Sequence, residues 1–171
     1  MAWNTPRDWA TNEAVTSANM DTYVSDNLSW LGTSRPHCQV RDATATAGGS
    51  AAWTAVSWDS LTTNVASMAS SSTSHVTAPT AGFYMVGASA VFEGDTTAGI
   101  RAIMLSSGSA GSGTVYAQSN TTQHGGNPSG ITVVTGVQLA AFGAVYLSIA
   151  SSDATANAVS NVRMWAIWET T

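Results

Sequence analysis

The feature that most constrains the fold is a succession of short strand-like runs that begins at residue 38. Each run is rich in Val, Thr, Ala or aromatic residues, and clusters of Gly, Ser, Asn and Asp separate one run from the next. β-Branched and aromatic residues suit a pleated sheet and Gly and Asn permit tight turns, so this pattern indicates an all-β sandwich or barrel. The predicted strands lie at residues 38–42, 51–58, 74–78, 82–92, 99–105, 114–119, 130–139, 144–150 and 161–168.

Two of the predicted strands have no polar face. Gly82–Phe92 is apolar or small on both of its alternating sides, and Asn161–Trp168 carries bulky apolar residues on both. A strand of this kind is buried on both faces, either inside a sandwich or against another subunit. Two such strands in one domain favour an oligomer.

The region before the strands is predicted to be a separate anchoring segment, residues 1–37, followed by the β domain at 38–171. Residues 1–14 contain Trp3, Pro6 and Trp9 without a clear period, which indicates an extended arm. Exposed tryptophans are unfavourable on a free monomer, so the two rings either dock onto a partner or fold back onto the chain's own helix. Residues 33–37 form a linker, since Pro36 cannot continue a helix.

One helix is predicted at about residues 16–31. Val15 and Thr16 resemble a hydrophobic staple and an N-cap, and Gly32 is a natural stop. Apolar residues recur between them at helical spacing, and a helix of this length is marginal in water unless it packs on a partner or on the β domain. The predicted anchoring and partner-binding residues of the segment are Trp3, Trp9, Met20, Val24, Leu28, Trp30 and Leu31.

The charge content excludes several partners. Only 9% of the residues are charged, against about 25% in an average soluble domain, and the net charge is −5. We expect no nucleic-acid binding, because no basic patch is present to neutralise phosphates. We also expect no membrane interaction, since no apolar run approaches the length of a membrane span. The first residues lack the apolar run of a signal peptide, so we expect the chain to be made in a host cytoplasm. Cys38 is interpreted as a small hydrophobic residue at the start of a strand.

No constellation of catalytic residues is recognisable, so we expect neither an enzyme nor a cofactor. The three histidines, His37, His75 and His124, do not form a ligand-spaced pair. The serine-rich runs contain no nucleophile elbow, and no pair of acidic residues suggests glycosidase chemistry. Residues 93–95 (Glu-Gly-Asp) are interpreted as a solvated turn, with calcium binding as the alternative.

Two segments resemble known families. Residues 9–31 resemble the N-terminal motif of many tailed-phage structural proteins, in which a tryptophan and a threonine-led helix start precede the pattern Asp21-x-x-Val-x-Asp-Asn-Leu28-x-x-Leu31. That resemblance implies a virion location.

Residues 51–105 resemble the complement-type globular head, which belongs to the tumour-necrosis-factor-like jelly rolls. The matching elements are Trp53–Asp59, the turn Ala78–Tyr84 leading into an apolar strand, Arg101 in the next strand, and the closing strand Val162–Trp168. The resemblance implies an antiparallel jelly-roll sandwich that assembles as a trimer, with aromatic strands facing the threefold axis. The residues that it places at the trimer interface are Tyr84, Val86, Phe92, Trp165 and Trp168.

The expected function is therefore that of a non-enzymatic structural protein of a bacteriophage virion. It would be a homotrimeric capsid decoration or head-fibre protein, whose N-terminal arm binds the major capsid protein or another virion component. The alternative is a minor tail protein whose jelly roll binds a host cell-surface glycan. The loop at 118–130 would then supply neutral polar contacts from Asn120, Gln123, His124 and Asn127.

Overall fold

The computed structural model describes residues 10–11, 13–94, 99–123, 126–153 and 155–170, and the chain divides into two compact units between Arg35 and Pro36. The N-terminal unit contains one continuous helical segment that alternates between α and π geometry. It consists of α1 (Ser17–Met20), a π turn (Asp21–Ser25), α2 (Asp26–Ser29) and a second π turn (Trp30–Ser34). No helix in the described parts of the chain is long and apolar enough to cross a membrane.

Of the two predicted ends of the helix, the start is confirmed and the stop is wrong. Thr16 is the N-cap, as predicted, and its side-chain oxygen accepts a hydrogen bond from the backbone N–H of Asn19 at 3.2 Å. The predicted stop at Gly32 is wrong, because the last helical turn continues to Ser34. Arg35 then adopts a ψ of 125°. Pro36 disfavours a helical conformation at the residue that precedes it, so the proline ends the helix rather than the glycine.

The β unit consists of two antiparallel sheets that pack face to face. Each sheet has five strands. The first has the order β3-β1-β10-β5-β8, and the second has the order β2-β9-β6-β7, with β4 also paired to β9. The strands are β1 (His37–Ala47), β2 (Thr54–Ala55), β3 (Ser60–Val65), β4 (His75–Thr77), β5 (Gly82–Phe92), β6 (Gly99–Ser106), β7 (Val115–Gln123), β8 (Ser129–Leu139), β9 (Ala144–Ser151) and β10 (Asn157–Thr170).

The predicted mostly β, antiparallel sandwich is confirmed, with one strand missed. β3 was not predicted because its sequence, Ser-Leu-Thr-Thr-Asn-Val, is polar and its first four residues are exposed at the edge of the sheet. An edge strand has one free side and one solvated face, so it lacks the apolar alternation that marks the other strands. β10 lies at the centre of the first sheet, between β1 and β5, and its Val162, Met164 and Ala166 are buried in the core.

The core lies between the two sheets and is filled by alternate residues of their inner faces. Tyr84, Phe92 and Met164 enter it from the first sheet, and Ile103 and Leu147 enter it from the second sheet. Tyr84 satisfies its hydroxyl by donating a hydrogen bond to the backbone oxygen of Thr80 at 2.8 Å, so the ring is buried without an unpaired polar group.

Candidate assembly surfaces

The outer face of the first sheet carries a contiguous apolar surface, which we call the outer patch. It consists of Phe83 and Met85 on β5, Val134 on β8, and Trp165 and Ile167 on β10. The register places Met85 beside Ile167, and it places both Trp165 and Val134 beside Gly87. In the single chain Val134 is 50% exposed and the other four side chains are half-buried.

Two glycines hold the aromatic rings of the outer patch against the sheet. A Cβ atom at Gly87 would overlap Cζ2 of Trp165, and a Cβ atom at Gly136 would overlap Cζ of Phe83. Each ring therefore lies where a neighbouring side chain would otherwise stand. The result is a low, continuous apolar surface rather than a row of protruding side chains.

The structure corrects the choice of face in the predicted trimer interface. Tyr84, Val86 and Phe92 are fully buried within the single chain, on the side of β5 that faces the core, so their side chains do not reach a partner. Trp168 is half-buried and packs against the same core. Of the five predicted interface residues, only Trp165 lies in the outer patch. The sequence shows that both faces of β5 are apolar, and which of them fills the space between the sheets is decided only in the folded sandwich.

The outer face of the same sheet becomes cationic toward one end. Arg41 on β1 and Arg163 on β10 are directly opposite each other in the register, and both are exposed. Asp59 lies near Arg41, and its pKa is lowered by a hydrogen bond from the backbone N–H of Ala43, by the hydroxyl of Ser60 and by the charge of Arg41. A partner surface that covers this end would need acidic or polar groups.

The predicted partner-binding stripe of the helical segment is exposed, with one exception. Met20, Val24, Leu28 and Leu31 are between 38% and 65% exposed, so they present an apolar stripe along one side of the segment. Trp30 is buried, so it is not available to bind a partner from this surface. Trp3 and Trp9, the other predicted anchors, lie outside the described residues.

A pocket of about 170 Å³ opens on the outer face of the second sheet. Its floor is formed by Ala102 of β6 and Ala150 of β9, which are paired in register, and its walls include Trp53 and Ile100. Ile100 is 51% exposed. The indole is backed by a short 3-10 turn, Ser109–Gly111, where a Cβ atom at Gly111 would lie only 2.8 Å from Cδ1 of Trp53. Sequence reasoning missed this pocket because its two alanines are adjacent only in the folded sheet.

The predicted glycan-binding loop is only partly available. Asn120 and Asn127 are exposed, but Gln123 is buried, and its side-chain amide donates hydrogen bonds to the backbone oxygens of Glu93 and Asn127 at 3.1 and 2.8 Å. Gln123 is therefore wrong as a glycan contact, since it links two loops within the chain. His124 lies outside the described residues.

The described residues carry little reactive chemistry. They contain no group of three or more His, Cys, Asp or Glu side chains that could hold a metal ion. Cys38 is buried on β1, and burial raises the pKa of its thiol to about 12. A thiol of this kind is protonated at neutral pH and unreactive, in agreement with its interpretation as a small hydrophobic residue.

One buried ion pair lies at the end of the sandwich where β6 begins. Arg101 of β6 and Asp153, which follows β9, form the pair, and their side chains are 0% and 3% exposed. Gly99 leaves room for it, because a Cβ atom there would overlap an oxygen of Asp153. The arginine that the sequence resemblance singled out therefore has an internal partner.

Comparison with known proteins identifies the fold. No family model and no curated protein sequence matches the chain. Among solved structures, the globular domain of zebrafish complement 1qA protein is 12% identical, over 80% of this chain and 100% of that chain, with a TM-score of 0.51. The Eiger TNF structure from S. frugiperda is 15% identical, over 80% of this chain and 94% of that one, with a TM-score of 0.57. The β unit has a C1q/TNF-like jelly-roll fold. At these identities the similarity concerns the fold alone.

Proposed function

We propose that the protein is a non-enzymatic structural component of a bacteriophage particle and that its β unit assembles as a homotrimer through the outer patch. The observation that carries the proposal is the patch itself, an apolar surface in which two aromatic rings occupy the places of missing side chains at Gly87 and Gly136. Contiguous apolar surfaces of soluble chains commonly mark protein–protein interfaces. The fold supports the same arrangement, because C1q/TNF-like domains form trimers.

The trimer is tested by the solution mass of the full chain, measured by light scattering coupled to size exclusion. We expect three times the 17.5 kDa of one chain. Val134→Asp places a charge in the outer patch and should give a folded monomer, since desolvating an unpaired carboxylate is strongly unfavourable. Ile100→Asp is the matched control, because Ile100 is equally exposed but lies on the other sheet, and it should leave the trimer intact. A wild-type chain that is monomeric at micromolar concentration contradicts the proposal.

The virion location is supported by the N-terminal sequence motif and by the exposed stripe Met20, Val24, Leu28 and Leu31. Deleting residues 1–14 should leave a folded trimer that no longer joins particles. If the truncated protein is incorporated as efficiently as the full chain, the arm is not the anchor. Gel densitometry against the major capsid protein separates the two roles, because hundreds of copies indicate decoration and a handful indicate a tail protein.

The alternative function is that of a minor tail protein whose jelly roll binds a host cell-surface glycan. The observation that favours it is the Trp53 pocket, which lies on the sheet opposite the outer patch and would stay open in a trimer formed through that patch.

A further inference from the structure

Among the residues that the structure describes, the lining of the Trp53 pocket contains no charged side chain. Besides the two floor alanines, Trp53 and Ile100, it is lined by Ala51, Gln118, Ser151 and Ser152. A charged ligand would lose its hydration on entering such a pocket without gaining a counter-charge. The lining therefore selects a neutral ligand.

The volume of the pocket suits one six-membered ring. A cavity of about 150 Å³ accommodates benzene, and this pocket measures about 170 Å³. The alanine floor creates that space, since any larger residue at position 102 or 150 would fill it. The indole of Trp53 supplies a flat apolar wall for the ring, and its packing on Gly111 fixes its position.

A row of neutral hydrogen-bonding groups runs beside the pocket along β7. Gln118, Asn120 and Thr122 are alternate residues of that strand, and all three are exposed. They share the outer face of the sheet with Ala102, which is paired to Asn120, and with Ile100, which is paired to Thr122. Amide side chains both donate and accept hydrogen bonds, as a ligand covered with hydroxyl groups requires.

A saccharide combines these requirements, because its ring has an apolar C–H face and a hydroxyl rim. We propose that the pocket binds one pyranose ring of a neutral oligosaccharide, with the ring against Trp53 and its hydroxyls hydrogen-bonded to Gln118, and with the next sugar unit beside Asn120. The inference rests on the receptor-facing alternative of the proposed function. An apolar peptide side chain would use the walls of the pocket but would form no hydrogen bonds with the amides along β7.

The test is ligand-observed NMR on the full chain with maltotriose, chitotriose and lactose as neutral probes, 3′-sialyllactose as an acidic probe and indole as an apolar probe. At least one neutral oligosaccharide should bind. Ala102→Leu should abolish that binding by filling the pocket. Ala140→Leu is the matched control, because Ala140 is an exposed alanine in the turn at the opposite end of β9, and it should bind as wild type does. Gln118→Ala, at an exposed position, should weaken binding by about tenfold through the lost hydrogen bonds.

Each other outcome overturns the inference. These outcomes are the absence of binding to all neutral probes, sugar binding that survives Ala102→Leu, binding of 3′-sialyllactose alone, and binding of indole alone. Light scattering on the same samples keeps the two proposals apart. If the chain is monomeric and binds sugar at Trp53, the proposed trimer is wrong and the proposed sugar site stands. If the chain is a trimer and binds no sugar, the proposed sugar site is wrong and the trimer stands.

Discussion

Gly87 shapes the outer patch because it has no side chain and so leaves room for the indole of Trp165. It lies in the middle of β5, where glycine weakens a strand because it restricts the backbone less and adds no packing. Here the indole of Trp165 occupies the place of the missing side chain. Gly87 and Trp165 are therefore energetically coupled, so the effect of a substitution at one residue on stability should depend on the other.

We expect Gly87→Ala to lower the free energy of unfolding by about 1–3 kcal/mol, because the new methyl group forces Trp165 out of its place. In a Trp165→Ala background the same substitution should be nearly neutral. Urea unfolding of the four chains in this double-mutant cycle measures the coupling directly. Additive effects of the two substitutions would mean that the indole does not rest on Gly87.

Cys38 gives a second prediction at the scale of one residue. Burial raises its thiol pKa from 9.0 to about 12, so the folded state disfavours the thiolate. The contribution to stability is fully present below pH 9 and is lost as the pH rises from 9 toward 12, because only the unfolded chain ionises in that window. By pH 10.5 the loss should reach about 2 kcal/mol, from 1.36 kcal/mol per pKa unit.

The measurement is urea unfolding of wild type and Cys38→Ala at pH 7.5 and pH 10.5. The variant should be less stable at pH 7.5 because of the lost packing, but it should lose less stability on going to pH 10.5. The comparison between the two chains cancels the titration of the tyrosines. If both chains lose the same free energy of unfolding between pH 7.5 and pH 10.5, burial does not hinder ionisation of the Cys38 thiol.

At the scale of elements, the pair Arg101–Asp153 fastens the start of β6 to the segment that joins β9 to β10. Asp153→Ala should lower the free energy of unfolding by about 3–5 kcal/mol, because it leaves the guanidinium buried without a counter-charge. The double variant Arg101→Met with Asp153→Leu should recover most of that loss. Thermal unfolding of the three chains tests this expectation. If the double variant is as unstable as Asp153→Ala, the pair stabilises the fold by more than the neutralisation of two buried charges.

The elements also show why some features were predictable from the sequence and others were not. β5 was predicted with its observed bounds, because Pro79 and Gly82 mark its start and an unbroken apolar run follows. The face that β5 turns outward was not predictable, since both of its faces are apolar and only the space between the sheets decides which one is filled. The Trp53 pocket was likewise hidden, because pairing between β6 and β9 brings Ala102 and Ala150 together from positions far apart in the chain.

At the scale of the whole molecule, the scarcity of charge determines how an assembly of this chain responds to salt. Only 15 of the 171 residues are Lys, Arg, Asp or Glu, so few ion pairs can contribute to any interface. The outer patch contains none of them. An interface built on it depends on apolar burial, which simple salts do not screen and which sulfate strengthens.

The proposed trimer should therefore keep its mass from 0.05 to 1 M NaCl, and its thermal midpoint should rise in ammonium sulfate. Light scattering and calorimetry measure the two effects, with Val134→Asp as the monomeric reference for salt effects on the fold alone. Arg41 and Arg163 provide the contrasting possibility, because an interface centred on these cations would need acidic partners and would weaken as salt screens them. Dissociation in 1 M NaCl would thus indicate that the interface lies at the cationic end of the sheet and not at the outer patch.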